Sequence, residues 1–266
     1  MYMMSIDVED WYHCLDENPL HWHTYEDRVV PAVRRVLRVF ADRGTCATFF
    51  VLGYVAEKHP ELIREIHCAG HEIASHGYAH RFVYGQSPAE FKEDVTRSLV
   101  LLSAIIDKPV VGYRAPYFSI TRKSLWAFAV LRELGLSYDS STFPVLNHRY
   151  GIPGGRRLPY RTESGLLEVP LSTYPAGGLT IPCCGGVYFR LIPYEFVRRM
   201  IRSLNRRGEP VIFYLHPWEM DAGQPRIPLP AGLRLRHYWQ LEKTEGALRK
   251  LLHEFPFTSI KKGLRI

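Results

Sequence analysis

The chain has 266 residues, of which 46% are hydrophobic and 23% are charged. This composition excludes an intrinsically disordered chain, and the length is sufficient to bury a core without disulfides or a structural metal. The formal charge is +7 at neutral pH, but the arginines are scattered over helix-like segments and no nucleic-acid-binding motif is present. The five cysteines lack a paired CxxC spacing, which argues against a disulfide framework and a zinc ribbon.

The sequence also lacks the features of a membrane-spanning protein. No stretch approaches the roughly 20 apolar residues that a transmembrane helix needs. The apolar start of the chain is too short for a signal peptide, and acidic residues follow it at once. If Met1 is the native start, we therefore expect a cytoplasmic protein.

Apolar runs and helical periodicities alternate along the chain. Strands are predicted at 2–8, 47–52, 71–75, 110–114 and 211–215, and helices at 29–40, 60–70, 87–106, 121–134, 193–207 and 240–253. This alternation favours a parallel sheet with helices outside. Because too few units are visible for a closed eight-fold barrel, we predict an α/β fold. It would be a distorted or incomplete (β/α) barrel of about seven parallel strands, forming a single domain over residues 1–266.

Four predicted strand ends carry polar or ionisable residues. These are residues 7–10, 76–80, 114–117 and 216–219. In parallel α/β folds the carboxyl ends of the strands gather the functional groups. We therefore expect these four segments to form one site.

His76 and His80 are the strongest metal-ligand candidates. Their four-residue spacing would bring two imidazoles to one metal if the turn is helical, and Gly77 permits a tight exit from the strand. Asp7 and Glu9 share one strand face, whereas Asp10 must turn with the loop to reach the same site. Either Glu9 or Asp10 would then complete a metal site. Six other histidines are expected at the surface or on helix faces: His13, His59, His67, His148, His237 and His253.

Together these segments resemble the polysaccharide deacetylase family, the NodB-homology family of carbohydrate esterases (family 4). The family's His-x-x-x-His motif is matched at residues 76–80, its Arg-x-Pro-Tyr motif at 114–117, and its apolar run ending in His at 213–216. Its Asp-Asp motif is replaced by Asp-Val-Glu-Asp at 7–10, and the fourth motif reads Tyr-Asp at 138–139. The variant first motif resembles a bacterial subgroup linked to exosortase and exopolysaccharide loci.

The resemblance implies a role for each matched residue. Asp7 would be the general base, oriented by Arg114, and His216 the general acid. The metal ligands would be His76, His80 and Glu9, with Asp10 as the alternative to Glu9. The expected substrate-binding residues are Tyr117, whose backbone N–H would help to hold the oxyanion, Trp218, Tyr138 and Leu215 in the acetyl pocket, and Trp11 packing over the site.

The resemblance also implies an activity. We expect a metal-dependent hydrolase that removes N-acetyl groups from hexosamine units of a polysaccharide or its precursor and releases acetate. Zinc is the expected metal, although Co²⁺, Ni²⁺ or Fe²⁺ would suit the same ligands. Two alternatives stay open: hydrolysis of another C–N bond, such as a cyclic amide in the manner of an allantoinase, and a catalytically inactive carbohydrate-binding protein.

Overall fold

A computed structural model describes residues 1–147 and 149–266, so the expectation for His148 lies outside the described residues. The strands are β1 Tyr2–Val8, β2 Thr48–Val51, β3 Glu72–Ser75, β4 Gly112–Tyr113, β5 Tyr138–Asp139, β6 Tyr160–Arg161, β7 Leu167–Glu168, β8 Thr173–Ala176, β9 Leu179–Pro182, β10 Val211–Leu215 and β11 Phe257–Thr258. The α-helices are α1 Val29–Ala41, α2 Gly53–Lys58, α3 Pro60–Cys68, α4 Pro88–Ile106, α5 Ala127–Glu133, α6 Gly186–Leu191, α7 Tyr194–Arg206, α8 Ala231–Tyr238, α9 Leu241–Glu254 and α10 Ile260–Leu264. Short 3₁₀ helices span Pro19–Thr24, Val83–Gly85, Pro116–Phe118 and Pro217–Met220.

One sheet of nine strands dominates the fold. Its order is β10-β1-β2-β3-β4-β5-β7-β6, and β11 also pairs with β1. The seven strands from β10 to β7 pair in parallel, whereas β6 pairs with β7 in the antiparallel sense. Within the described residues β10 and β6 do not meet, so the sheet is a half-barrel surrounded by helices. The predicted incomplete barrel of about seven parallel strands is confirmed.

The alternation of side chains along β1 and β10 decides what faces the barrel interior. Ile6 and Val8 of β1, and Phe213 and Leu215 of β10, pack outward into the main core beneath the helices. The residues between them in sequence point inward, and Tyr214 belongs to a second, interior cluster. A polar side chain of β1 or β10 that acts inside the barrel must therefore point inward, as Tyr214 does.

The long helix α4 begins as the sequence predicts. Ser87 Oγ accepts a hydrogen bond from the Glu90 N–H, and a Glu90 carboxylate oxygen accepts one from the Ser87 N–H. This reciprocal capping satisfies two N–H groups that the first turn of a helix leaves without partners. By contrast, α5 is shorter than predicted because Ser124 Oγ bonds to the backbone at Thr121, which favours a local turn over a regular helix.

Several short elements were not predicted. Strands β6 and β7 have two residues each, which is too short for any periodicity to be visible. The β8–β9 hairpin turns at Gly177 and Gly178, both with positive φ, and a Gly-Gly pair between apolar runs is a hairpin signal that had been overlooked.

The main sheet contains strands from almost the whole chain. It begins at Tyr2 and includes β11 near the carboxyl end, and among the strands of residues 1–147 and 149–266 only the β8–β9 hairpin lies outside it. This shared sheet supports the single domain over 1–266, which stays a prediction. Among the described residues, no helix is both long and apolar enough to cross a membrane.

Candidate active site

The carboxyl ends of β1, β3 and β10 open into one cavity. The free space between the lining side chains is about 830 Å³, which includes the solvent-filled mouth. The residues from the four predicted strand ends that line it are Asp7, Glu9, His76, His80, Tyr117, His216, Trp218 and Glu219. The structure therefore brings the four predicted strand ends together around one cavity, and the geometry of the cavity follows from the loops that leave each strand.

Glu9, His76 and His80 form a compact group at the base of the cavity. Each offers a ligand atom, and these atoms all lie within 4.8 Å of one another. The three side chains are almost completely buried. A buried cluster of two imidazoles and one carboxylate has the donor chemistry of a catalytic site for a divalent cation.

The hydrogen bonds of the two histidines test whether a cation fits. His76 Nδ1 lies 2.8 Å from the Arg114 carbonyl oxygen, and His80 Nδ1 lies 3.1 Å from the His13 carbonyl oxygen. Since a carbonyl only accepts, each Nδ1 donates its proton to that oxygen, which leaves Nε2 of each ring as the nitrogen that could bind a cation. Glu9 Oε2 is a buried oxygen without a hydrogen-bond partner among the described residues, although His80 Nε2 lies 2.7 Å from it. A bound cation would give this oxygen a partner, so the residues fit such an ion.

The loop from residue 76 to 80 is not helical, which corrects the turn expected from the histidine spacing. Gly77 and His80 both have positive φ, at 73° and 50°. Asp94 on α4 fixes the loop by accepting hydrogen bonds from the N–H groups of Tyr78 and Ala79. A Cβ at residue 77 would lie 2.9 Å from Asp94 Oδ2, so both the dihedral angle and the close approach require glycine.

Asp10 has a different task from Glu9. Its Oδ2 accepts hydrogen bonds from the N–H groups of Arg28 and Val29, at 2.7 and 2.8 Å, where α1 begins. The carboxylate therefore caps a helix and is turned away from His76 and His80. Of the two residues left open by the sequence, the geometry favours Glu9 as the ligand.

Asp7 is held by a buried arginine. Arg114 Nη1 donates to Asp7 Oδ1 at 2.7 Å and to Ser5 Oγ at 2.7 Å, and its Nε donates to the Ser140 carbonyl oxygen. Arg114 is fully buried. With Oδ1 engaged in this way, Asp7 Oδ2 is the oxygen that approaches His216 Nε2, at 3.9 Å.

His216 is fixed from behind by a second ion pair. Its Nδ1 lies 2.7 Å from Glu219 Oε1, and Arg190 Nε donates to Glu219 Oε2 at 2.7 Å. Burial raises the pKa of Glu219, but Arg190 and His216 outweigh burial and hold it at about 2. Burial lowers the pKa of His216, but Glu9, Glu219 and Asp7 together raise it to about 9. The proton-bearing Nε2 of His216 therefore faces the cavity, beside Asp7 and Glu9.

Two of the predicted substrate-binding residues do line the cavity. Tyr117 lies in the left-handed region at φ 55°, and its hydroxyl donates to the His13 carbonyl oxygen at 2.9 Å. The Trp218 ring stacks against His216 on one side and against His237 on the other, with centroids 5.2 and 4.4 Å apart. These contacts fix an aromatic wall next to His216.

Three other predicted substrate-binding residues lie in packed regions and do not line the cavity. Leu215 has the outward parity of β10 and packs under the helices. Tyr138 reaches toward the opposite end of the barrel, where its hydroxyl donates to Glu72 at the start of β3. Trp11 is buried in an aromatic cluster and donates its indole N–H to the Glu26 carbonyl oxygen. The resemblance to the polysaccharide deacetylase family suggests Tyr138 and Leu215 as substrate-binding residues, but side-chain parity and direction place them elsewhere.

The placement of Tyr138 leads to a first prediction. We expect Tyr138→Phe to change kcat/KM by less than about twofold while lowering the free energy of unfolding by about 0.5–1.5 kcal/mol, the value of one lost hydrogen bond. Urea unfolding and initial rates of the same preparation measure the two effects. If the folded variant lost more than tenfold in activity, Tyr138 would have to take part in the reaction or in substrate binding.

The sequence analysis assigned no individual role to several residues that line the cavity. Glu219, Arg190, Tyr214, Tyr150, Cys14, Arg149, Arg236 and His237 all line it. The alternation of side chains along β10 predicts that Tyr214 points into the cavity. Pro217, directly after His216, begins a 3₁₀ turn, and this turn brings the Glu219 side chain back to His216. His13 and His237, expected at the surface or on a helix face, are 0% and 2% exposed because their rings pack among aromatic side chains.

Comparison with known proteins places this site in a family. Residues 16–138 match the family model for polysaccharide deacetylase, and residues 140–265 match a domain of unknown function, DUF3473. A chitooligosaccharide deacetylase from Bradyrhizobium sp. (strain ANU 289) is 39% identical over 187 residues, which cover 68% of this chain and 80% of that protein. The chain belongs to the polysaccharide deacetylase family.

Other members of the polysaccharide deacetylase family are more distant. A peptidoglycan-N-acetylglucosamine deacetylase from Bacillus cereus is 26% identical over 146 residues, which cover 50% of this chain and 52% of that protein. The chain thus spans about half the length of that relative. A putative polysaccharide deacetylase from Mycobacterium smegmatis has a crystal structure that matches with a TM-score of 0.67 and 22% identity, covering 97% of this chain and 85% of that one. This likeness supports the fold.

The two matched segments of this polysaccharide deacetylase chain share one cavity. Asp7 precedes both segments, and His76 and His80 lie in the first. Arg190, His216 and Glu219 lie in the segment of unknown function. Because β10 from the second segment pairs directly with β1, it brings His216 to within 4 Å of Asp7. The second segment therefore completes the site.

Proposed function

We propose that the chain hydrolyses the N-acetyl group of a hexosamine unit in a polysaccharide or its precursor, releasing acetate and leaving a free amine. The observation that carries this proposal is the convergence of Asp7 and His216 on the buried group of Glu9, His76 and His80. Amide hydrolysis needs an activated water, a stabilised oxyanion and a protonated leaving amine, and the cavity offers groups for all three. Relatives named as deacetylases of chitooligosaccharide and peptidoglycan support the choice of an N-acetylated sugar.

Asp7 is suited to take a proton from the attacking water. Its Oδ1 accepts a hydrogen bond from Arg114, whose guanidinium also donates to Ser5. Oδ2 is therefore the oxygen of Asp7 that is directed toward the other reacting groups. As the water oxygen forms its bond to the carbonyl carbon, a proton passes to Asp7 Oδ2. The ion pair with Arg114 keeps the carboxylate in one rotamer throughout this step.

His216 is suited to deliver a proton to the leaving nitrogen. Glu219 binds its Nδ1, so the transferable proton resides on Nε2, which faces the cavity. When the carbonyl carbon–nitrogen bond breaks, His216 Nε2 donates its proton and the amine leaves neutral. The backbone N–H of Tyr117 would help to hold the carbonyl oxygen as negative charge develops there.

The proposed cofactor is a divalent cation held by Glu9, His76 and His80. When bound, it supplies Lewis-acid polarisation of the amide carbonyl and of water. Two imidazoles and a carboxylate suit Zn²⁺, which we propose as the resident ion, and Co²⁺, Ni²⁺ or Fe²⁺ would suit the same donors.

A substrate panel tests the proposed activity. Metal-replete protein is incubated with N-acetylglucosamine oligomers and, separately, with a cyclic amide, and acetate and ring opening are both quantified. We expect acetate from the sugar and no ring opening. Ring opening without acetate would identify a cyclic-amide hydrolase, and oligosaccharide binding without either product would identify an inactive carbohydrate-binding protein.

The contact between Glu219 and His216 gives a second prediction. We expect Glu219→Gln to lower kcat by about 10–100-fold with little change in KM, as is typical when a residue that orients a catalytic side chain is altered. Gln keeps an acceptor for His216 Nδ1 but removes the charge that balances Arg190. The measurement is the separate determination of kcat and KM for acetate release.

Glu168 offers a matched control for Glu219. It is also fully buried and lies outside the cavity, and burial together with Asp139 raises its pKa well above the usual range of a carboxyl group. A protonated Glu168 would donate to Asp139, so Gln can reproduce that hydrogen bond. We expect Glu168→Gln to keep kcat within about twofold. Equal losses of kcat in both variants would mean that Glu219 acts only through stability.

A further inference from the structure

The charged residues that line the cavity divide into two sets. Its three carboxylates, Asp7, Glu9 and Glu219, are all buried and all contact arginine or histidine. Arg190 is buried as well and is bound to Glu219. Two charged residues remain, Arg149 and Arg236, and both are arginines. The part of the cavity that a substrate meets first therefore carries positive charge without a matching carboxylate in the lining.

Arg236 is a cation on a fixed backbone. Its side chain is exposed, and it forms no ion pair with any carboxylate of the described residues. Arg190 donates to the carbonyl oxygens of Arg236, His237 and Trp239, so the end of α8 is tied to the same arginine that holds Glu219. The guanidinium of Arg236 thus reaches the cavity from a segment that Arg190 anchors, and Arg190 in turn binds Glu219, the partner of His216.

The charge of Arg236 reaches into the cavity. Burial raises the pKa of Tyr150, and the positive charge of Arg236 opposes this rise. The charge of Arg149 lowers the pKa of Tyr150 as well. At Cys14 and Tyr214, by contrast, a carboxylate (Glu9 and Glu219 respectively) raises the pKa by more than Arg236 lowers it. The attraction for an anionic group is therefore expected beside Tyr150, where both arginines act.

Arg149 is the second cation. Its guanidinium lies 5.1 and 5.2 Å from the ring centroids of Phe82 and Tyr117, which fixes its plane against an aromatic wall. Its ion partner Glu17 is largely exposed, so their pair is a surface salt bridge worth about 0–1 kcal/mol and is easily exchanged for a substrate anion.

We infer that the substrate is acidic: the N-acetylhexosamine unit carries or adjoins a carboxylate or phosphate group that Arg236 and Arg149 bind. This inference rests on the proposed function, because it assigns the same cavity to the same sugar. Guanidinium groups recognise both anions through paired N–H donors. A neutral chitin oligomer offers these guanidinium groups only uncharged oxygens, which form weaker hydrogen bonds than an anion does.

The test compares a neutral tetramer of N-acetylglucosamine with a tetrasaccharide that alternates glucuronate and N-acetylglucosamine. N-acetylglucosamine 1-phosphate and free N-acetylglucosamine form a second pair, which separates phosphate from carboxylate. We expect a KM about tenfold lower for at least one anionic member than for its neutral counterpart, as one charge-assisted contact gives. Arg236→Gln should reduce that advantage, raising KM for the anionic member more than for its neutral counterpart.

Arg234→Gln is the matched control, since Arg234 is exposed on the same helix and does not line the cavity. Equal KM values for acidic and neutral substrates, or equal effects of the two substitutions, would overturn the inference. Calorimetric binding to Asp7→Asn protein, with and without Arg236→Gln, makes the test independent of turnover. Tight binding of an acidic sugar through Arg236 without acetate release by the wild-type protein would uphold the inference and contradict the proposed function.

Discussion

An Asp7→Asn protein is expected to release acetate about 10²–10⁴-fold more slowly than the wild-type protein, the usual contribution of a positioned general base. Asn keeps an oxygen that can accept from Arg114 Nη1, but it cannot take a proton from water. The loss should appear in kcat, and bound metal should be retained because Asp7 is not part of the group formed by Glu9, His76 and His80. Steady-state acetate release together with metal analysis measures both.

Folding has to be separated from chemistry in this variant, because Asp7 and Arg114 form a buried pair. Asp221→Asn is the matched control, since Asp221 also pairs with an arginine, Arg28, but does not line the cavity. We expect Asp221→Asn to lower stability with little effect on kcat. Near-wild-type kcat in folded Asp7→Asn protein would exclude Asp7 as the base.

Replacing His76 with Ala is expected to remove both bound metal and activity. The ligand group of His76, His80 and Glu9 would lose one of its three members. Because the group is buried, solvent water has little access to replace the lost ligand. The loss of metal affinity should exceed the roughly 10–100-fold that follows from altering a supporting residue. Equilibrium dialysis with Zn²⁺ and acetate release are the two measurements.

His71→Ala serves as the control for that substitution. His71 is a buried histidine before the start of β3, whereas His76 follows its end, and His71 Nδ1 accepts a hydrogen bond from the Ala47 N–H. We expect it to lower the free energy of unfolding by about 1–3 kcal/mol without changing metal affinity. Retention of one tightly bound ion by His76→Ala would mean that the cation is held by other residues.

The sequence predicted the fold where elements are long and strongly patterned. β1 and β10 were predicted with the bounds that they have, because β10 is a continuous apolar run and β1 is a mainly apolar run that contains Ser5 and Asp7. The capping box of α4 was visible because its side-chain bonds are local. The two-residue strands β6 and β7 depend on pairing with distant neighbours, and no local pattern in the sequence reports such pairing, whereas β4 lies within the strand predicted at 110–114.

The site was predictable to the level of residue type and strand end. Asp7, Glu9, His76, His80, Arg114 and His216 were singled out by their positions after strands, and the structure brings them together. Side-chain direction was the limit: Tyr138 points to the far end of the barrel and Leu215 points outward, whereas Tyr214 points in. His216 is held by Glu219, which follows it in a 3₁₀ turn, and Glu219 is held by Arg190, which lies in α6, 26 positions before His216. The spacing of these residues in the sequence does not reveal the contacts.

The most direct measurement follows acetate release from N-acetylglucosamine oligomers while Zn²⁺ or Co²⁺ is returned to metal-depleted protein. We expect no release from the depleted protein and a rate that rises with occupancy and becomes constant at one ion per chain. Full activity in protein shown to hold no metal would contradict a metal-assisted deacetylase built on Glu9, His76 and His80.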